Sequence, residues 1–126
     1  TLLGDRQRHL TDDAIREIVR RDGVIGLNLC SSFLDESCWK SGRATIDDCV
    51  RHVEHVCEIA AEVGGDRAHV GMGSDMDGGF AADRLPEGID RPADLDRIAE
   101  ALRDRGWSDA EIAGFRGGNW RRIFTF

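Results

Sequence analysis

The sequence lacks the features that mark several common classes of protein. It has 2 prolines, no tyrosine and no Cys-x-x-Cys pair in 126 residues, which argues against a Pro-rich disordered tract and against a zinc ribbon. No apolar run approaches the roughly 18 residues of a membrane-spanning helix, and no secretory leader is recognisable, so no membrane segment is expected. Basic residues are the minority, since 17 Lys and Arg face 24 Asp and Glu for a net charge of −7. This balance disfavours a nucleic-acid-binding function, because phosphate binding needs a basic surface.

Four cysteines, Cys30, Cys38, Cys49 and Cys57, are present without metal-binding spacing. We predict reduced, mostly buried thiols, which are typical of cytoplasmic proteins, and therefore a cytoplasmic location. The spacing leaves a disulfide between two of the four open.

Two short apolar segments on either side of a helix predict a parallel βαβ unit. Residues 24–29 and 69–74 have the composition of strands buried on both faces, and an apolar stripe over 46–60 predicts the helix between them. Further helices are predicted over 11–22, 93–105 and 108–117, with a terminal turn after them. Two strands alone leave two open edges, so these elements form part of an α/β sheet rather than a whole one.

The stretch Asp75-Met76-Asp77, at the end of the second predicted strand, is the sharpest chemical feature. Extended backbone directs Asp75 and Asp77 to one side, where two carboxylates could hold a metal ion or move a proton. The same residues followed by glycine also fit an ordinary turn. An Asp-x-Asp phosphohydrolase, with Asp75 as nucleophile and Asp77 as acid, is one alternative, although Gly79 departs from that pattern.

Histidines are weaker candidates. His52 and His55 flank Glu54 at a spacing that fits no zinc-peptidase helix motif, and a helical wheel places them away from the apolar stripe, on a solvated polar face. His9 and His69 are expected to have structural roles.

Six short sequence blocks follow one another along the chain: RHLTD (8–12), GVIGLN (23–28), HVEH (52–55), GMGSDMDG (71–78), PEGI (86–89) and GNWRR (118–122). In this order they resemble the membrane (renal) dipeptidase family of zinc peptidases, and the resemblance extends over nearly the whole chain. The fourth block, followed by Pro-Glu-Gly, is the most specific. The resemblance covers the C-terminal third of such proteins.

For the fold, the resemblance implies an α/β chain that is the C-terminal part of a (β/α)8 TIM barrel of the metal-dependent hydrolase type. Residues 1–126 would form the last two βα units of that single domain, and its N-terminal strands are absent from this chain. A complete barrel needs about 250 residues. The implied partner is the remainder of the barrel, from the same longer polypeptide or from another chain.

For the function, the resemblance implies zinc-dependent hydrolysis of dipeptides, with two Zn²⁺ ions in the complete active site. Asp75 would shuttle a proton, meet the substrate amine and stand close enough to be a metal ligand, while the main metal ligands are absent from this chain. Arg8 would hold the substrate carboxylate, Asn28 would line the site, and Asp77 would support the loop. The isolated chain is expected to be inactive, and a non-catalytic barrel remnant is a further alternative.

The sequence departs from the family pattern at three positions. His9 stands where asparagine is usual, and Cys30 and Phe33 occupy a stretch that often carries tyrosines, which leaves substrate preference open. Arg6 is close enough to Arg8 to permit a shifted alignment.

Overall fold

The structure is a computed structural model, and it describes residues 10–35, 38, 42–74 and 84–124. Its helices and strands are α1 (Asp12–Arg20), β1 (Ile25–Leu27), α2 (Ser31–Leu34), α3 (Ile46–Glu62), β2 (Val70–Met72), α4 (Asp96–Asp104), α5 (Asp109–Ala113) and α6 (Asn119–Ile123). Short 3₁₀ turns precede β2 and α4, and a π turn joins α5 to α6. Within these ranges, no helix combines the length and apolar character needed to cross a bilayer.

The two strands pair in parallel, which confirms the predicted βαβ unit. Gly26 lies opposite Gly71 in the ladder, and α3 forms the crossover between the strands. Beyond the ladder, the Gly73 N–H donates to the Leu27 carbonyl at 3.0 Å. Parallel strands run in one direction, so both carboxyl ends reach the same edge of this small sheet.

Local sequence signals determine where the principal helices begin. The Thr45 hydroxyl accepts from the Asp48 N–H at the start of α3, and the Asp48 carboxylate accepts from the Thr45 N–H. Ser108 and Glu111 form the same reciprocal pair at α5, and the Thr11 side chain caps α1. These bonds satisfy backbone donors that have no partner inside a helix, which is why the predicted starting points are correct.

The main core lies where α3, α4 and α5 pack around the sheet. Its buried members include Leu27, Leu29, Val50, Val53, Val70, Ile89, Ile98, Leu102, Ile112 and Phe115. A smaller cluster between α1 and α3 contains Ile15, Val19, Ile59 and Ala60.

All four cysteines are free thiols, which closes the question of a disulfide. Cys30, Cys38 and Cys49 are buried, as predicted, whereas Cys57 is half-buried. Burial raises the pKa of the Cys49 and Cys57 thiols to about 12, because a thiolate is poorly solvated inside the protein. Both side chains therefore behave as small apolar groups at neutral pH.

The C-terminal segment differs from the prediction, because α6 forms where a terminal turn was expected. α6 lies against β2, where the Asn119 Nδ2 donates to the Val70 carbonyl at 2.8 Å and the Trp120 Nε1 donates to the Met72 carbonyl at 3.0 Å. Since the Gly73 N–H points toward β1, the carbonyls of Val70 and Met72 point away from it. Two side chains thus donate to carbonyls on the side of β2 that faces away from β1, which the sequence pattern did not reveal.

Glycine on both strands makes room for the Trp120 indole. A Cβ atom on Gly71 would lie 2.5 Å from the Trp120 Nε1, and one on Gly26 would lie 3.2 Å from the Trp120 Cζ2. The indole ring therefore fits against this face of the sheet because both strand positions lack a side chain.

The interpretation of His52 and His55 as a solvated polar face was wrong. The His52 Nε2 lies 2.8 Å from the Leu34 carbonyl, and the His55 Nε2 lies 2.8 Å from the Asp12 Oδ1. Both side chains are half-buried because α1 and α2 pack against this side of α3, which a helical wheel of α3 alone does not show. His69 is buried and its Nδ1 lies 2.9 Å from the Gly23 carbonyl, in agreement with a structural role.

Gly71→Ala should lower the free energy of unfolding by about 1–3 kcal/mol, because the added methyl group overpacks the site of the Trp120 indole. In the Trp120→Ala background the same change should cost almost nothing. Urea unfolding followed by circular dichroism measures both values. An equal cost in the two backgrounds would show that the indole is not the constraint on Gly71.

The Asp12–His55 contact predicts a pH dependence of stability. The hydrogen bond from His55 lowers the pKa of the Asp12 carboxyl below its ordinary value. Asp12 therefore binds a proton more readily in the unfolded chain than in the folded one. The stabilisation from this contact is fully present above the ordinary pKa of the carboxyl, and it is lost as the pH falls through the lowered pKa of the folded state. His55→Leu should reduce the loss of unfolding free energy at acid pH, which we call the acid limb. Urea unfolding at a series of pH values measures it, with Asp104→Asn as the control. An unchanged acid limb in His55→Leu would contradict the assignment.

Candidate active site

The carboxyl ends of β1 and β2 define the candidate site, and we call this region the carboxyl edge. Pairing continues past the strands, since the Leu29 N–H donates to the Ser74 carbonyl at 3.0 Å. Leu29 and Ser74 therefore lie side by side at this edge. In α/β folds, side chains that carry out chemistry are concentrated at such an edge.

Asn28 lies at the carboxyl edge, where the sequence analysis expected it. It is half-buried, and its Oδ1 accepts a hydrogen bond from the Cys30 N–H at 2.8 Å. This bond shapes the turn between β1 and α2, which is the local structure that asparagine favours. Cys30 is buried just before α2 and Phe33 is half-buried within it, so both lie in the segment that follows Asn28 along the chain.

The other predicted site residues, Arg8, Asp75 and Asp77, lie outside the described residues, as do Arg6 and His9. Their roles stay predictions. For Asp75, the structure gives the position of the preceding residue, Ser74. The Ser74 carbonyl accepts a hydrogen bond from the Leu29 N–H at the carboxyl edge.

The described residues do not assemble a metal centre. Over 10–35, 38, 42–74 and 84–124, no group of three or more His, Cys, Asp or Glu side chains is placed to hold an ion. The rings of His52, His55 and His69 already contact protein oxygens. A zinc centre would therefore need ligands from outside the described residues.

Two arginines at the carboxyl edge were missed by the sequence analysis. Arg43, after β1, and Arg84, after β2, each donate hydrogen bonds to main-chain carbonyls of the opposite loop. No local pattern could reveal these contacts, because the partners are more than 40 residues apart in sequence.

A concave surface between α4, α5 and α6 is a weaker candidate. Its Arg103 pairs with Glu100 and Asp109 at 3.1 and 3.3 Å, and its Arg116 pairs with Asp96 at 3.0 Å. Because the chain's own carboxylates neutralise these two cations, this surface does not favour an anionic ligand.

Solved structures share the fold. The crystal structure of dipeptidase AC, a metallopeptidase of family M19, matches with a TM-score of 0.77 and 31% identity, over 92% of this chain and 32% of its own. An amidohydrolase from Pseudomonas aeruginosa matches with a TM-score of 0.71 over 95% of this chain and 41% of its own, and at 23% identity this likeness shows the fold alone. The described residues thus have a mixed α/β fold that corresponds to part of each of these two structures.

The profile of the family described as membrane dipeptidase (peptidase family M19) matches residues 1–126, and the chain belongs to this family. An uncharacterised dipeptidase of Schizosaccharomyces pombe is 31% identical over 120 residues, which are 95% of this chain and 27% of that protein. A dipeptidase of Aspergillus oryzae is 28% identical over 92% of this chain and 25% of its own length. The chain spans about a quarter of these two curated relatives, and the family resemblance is confirmed.

Asn28→Ala should lower the free energy of unfolding by about 1 kcal/mol, because the Cys30 N–H loses its acceptor. Asn28→Asp keeps an oxygen at that position and serves as the matched control. Thermal unfolding of the two variants beside the unsubstituted chain gives the comparison. If aspartate costs as much as alanine, the acceptor oxygen is not what the turn requires.

Proposed function

We propose that residues 1–126 are the C-terminal part of a (β/α)8 barrel that hydrolyses dipeptides, contributing its last two βα units. Membership of the dipeptidase family carries the proposal. The parallel βαβ unit supports it, because parallel pairs joined by a helical crossover are the repeating unit of such barrels. The other strands would come from the same longer polypeptide or from another chain.

Hydrolysis of a peptide bond needs a nucleophilic water, stabilisation of the oxyanion and a proton for the leaving amine. Two zinc ions, when bound in the complete site, would supply Lewis acidity and the nucleophile. In this proposal the main zinc ligands lie outside this chain, and Asp75 is at most an additional ligand.

Asp75 is proposed to carry the proton to the leaving amine and to contact the substrate amine. Its place directly after Ser74 supports this role, since the Ser74 carbonyl is bonded to Leu29 at the carboxyl edge. A carboxylate that directly follows a barrel strand at this edge is well placed to contact a substrate bound at the C-terminal face of the barrel. Asp77 would support the loop without reacting.

Arg8 is proposed to bind the free carboxylate of the dipeptide, since a planar guanidinium can donate two parallel hydrogen bonds to it. Asn28 would line the same mouth, in keeping with its place at the carboxyl edge. The substrate is therefore a dipeptide rather than a nucleic acid, in line with the net charge of −7. A cytoplasmic location is proposed because the four cysteines are free thiols, which are typical of that compartment.

A chimaeric enzyme provides the test: residues 1–126 replace the matching segment of dipeptidase AC, and dipeptide hydrolysis is measured. We expect the chimaera to be active. The isolated 126-residue chain should show no more dipeptide hydrolysis than a blank that contains the metal alone. Asp75→Asn should lower kcat by about 10²–10⁴-fold, the usual contribution of a general acid–base group. Arg8→Lys should mainly raise KM.

Zinc content and circular dichroism of each chimaera are the controls. A folded, zinc-loaded chimaera without activity would overturn the proposal, and so would hydrolysis by the isolated chain. Unchanged activity in Asp75→Ala would instead favour a non-catalytic role for this part of the barrel. Magnesium-dependent phosphate release that Asp75→Asn abolishes would indicate the phosphohydrolase.

A further inference from the structure

The loop between β1 and α3 and the loop between β2 and α4 are joined by two arginines. The structure describes the first loop at residues 28–35, 38 and 42–45, and the second at 73–74 and 84–91. We call Arg43 and Arg84 the arginine clasp, because each belongs to one loop and donates to the main chain of the other.

Arg43 binds the second loop through several atoms at once. Its Nε donates to the Leu85 carbonyl at 2.8 Å, and its Nη2 donates to the Pro86 carbonyl at 3.0 Å and the Ile89 carbonyl at 3.4 Å. The same Nη2 pairs with the Asp90 carboxylate at 3.0 Å. Three carbonyls and one carboxylate thus converge on a single half-buried guanidinium, an arrangement that one ammonium group could not reproduce.

Arg84 makes the reciprocal contacts. Its Nη1 donates to the Gly42 carbonyl at 3.1 Å, and its Nη2 donates to the Cys38 carbonyl. A backbone bond joins the same two loops, since the Glu87 N–H donates to the Ala44 carbonyl at 2.8 Å. The loops are therefore connected in both directions.

Apolar packing holds the clasp in place. Ile89 and Ala44 are fully buried, and Leu85 is 3% exposed. Gly88 adopts a φ of +88°, which a residue with a side chain reaches only with strain, and so allows the tight turn between Pro86 and Ile89. Displacement of either loop would expose apolar surface as well as break hydrogen bonds.

We propose that Arg43 and Arg84 are positioning residues, which keep the carboxyl end of β2 in place by fastening the two loops together. Ser74 is bonded to Leu29 on one side of the segment 75–83, and Arg84 is bonded to Cys38 and Gly42 on the other. Both ends of the stretch that begins with Asp75 are thus tied to the loop that follows β1. The link to catalysis rests on the proposed function, whereas the tie itself does not.

Hydrogen exchange in the 126-residue chain tests the tie without any need for activity. The Glu87 amide reports on the contact between the loops, and the Leu29 amide reports on the end of β2. Arg43→Met and Arg84→Met should each increase the exchange rate of both amides by about tenfold, because local opening becomes easier. Arg43→Lys should behave like Arg43→Met, since the charge remains but the forked donors are lost. Arg105→Met, which removes surface pairs with Asp47 and Glu54, is the matched control and should leave both rates unchanged.

Faster exchange at Glu87 with an unchanged rate at Leu29 would overturn the proposal, because the clasp would then be confined to the loops. Should a methionine variant fail to fold by circular dichroism, Arg43→Lys decides the outcome. In the active chimaera, Arg43→Lys should lower kcat by about 10–100-fold with little change in KM, as expected when a reacting group is displaced slightly. An inactive unsubstituted chimaera counts against the proposed function only, whereas an active one with unchanged kcat in Arg43→Lys counts against the positioning role.

Discussion

The parallel pairing of β1 with β2 is the constraint on which the other features depend. Three residue pairs form the ladder, and the crossover helix α3 packs on the face of the sheet that carries Val70. Because the strands run in the same direction, the chain leaves both of them at one edge. Asn28, the Leu29–Ser74 bond and the two loops joined by arginine are all neighbours for this reason.

A parallel pair also exposes backbone groups along its outer edges, and on β2 side chains of this chain bind two of the exposed carbonyls. Asn119 and Trp120 donate to the carbonyls of Val70 and Met72, each of which would otherwise cost about 1–3 kcal/mol if buried without a partner. Gly26 and Gly71 permit the approach, since any Cβ there would meet the indole. The glycines of these strands thus serve the packing of α6 as well as the pairing of the strands.

Arginine recurs as a ligand for main-chain carbonyls in this acidic protein. Besides the clasp, Arg122 donates to the Ala68 carbonyl at 3.0 Å and pairs with the Asp22 carboxylate at 2.7 Å, which connects α6 to the loops that precede both strands. A guanidinium suits this task, because it presents several donors in one plane and never loses its charge. Long-range polar contacts of this kind add to the apolar packing that holds the loops.

The sequence by itself determined the features that depend on near neighbours. Capping residues such as Thr45 and Ser108, the apolar stripe of α3 and the short apolar strands predicted the helices, the βαβ unit and the buried thiols, and the order of the motifs identified the family. Its error at His55 concerns a contact between distant segments, since this side chain meets Asp12. The 3₁₀ turn with which the helix predicted over 93–105 begins is a local difference. The tertiary structure alone decided that Trp120 packs on two glycines and that Arg43 and Arg84 bind the opposite loops. These contacts join residues more than 40 positions apart, and their energy comes from shape and from forked hydrogen bonds, neither of which leaves a periodic signal in the sequence.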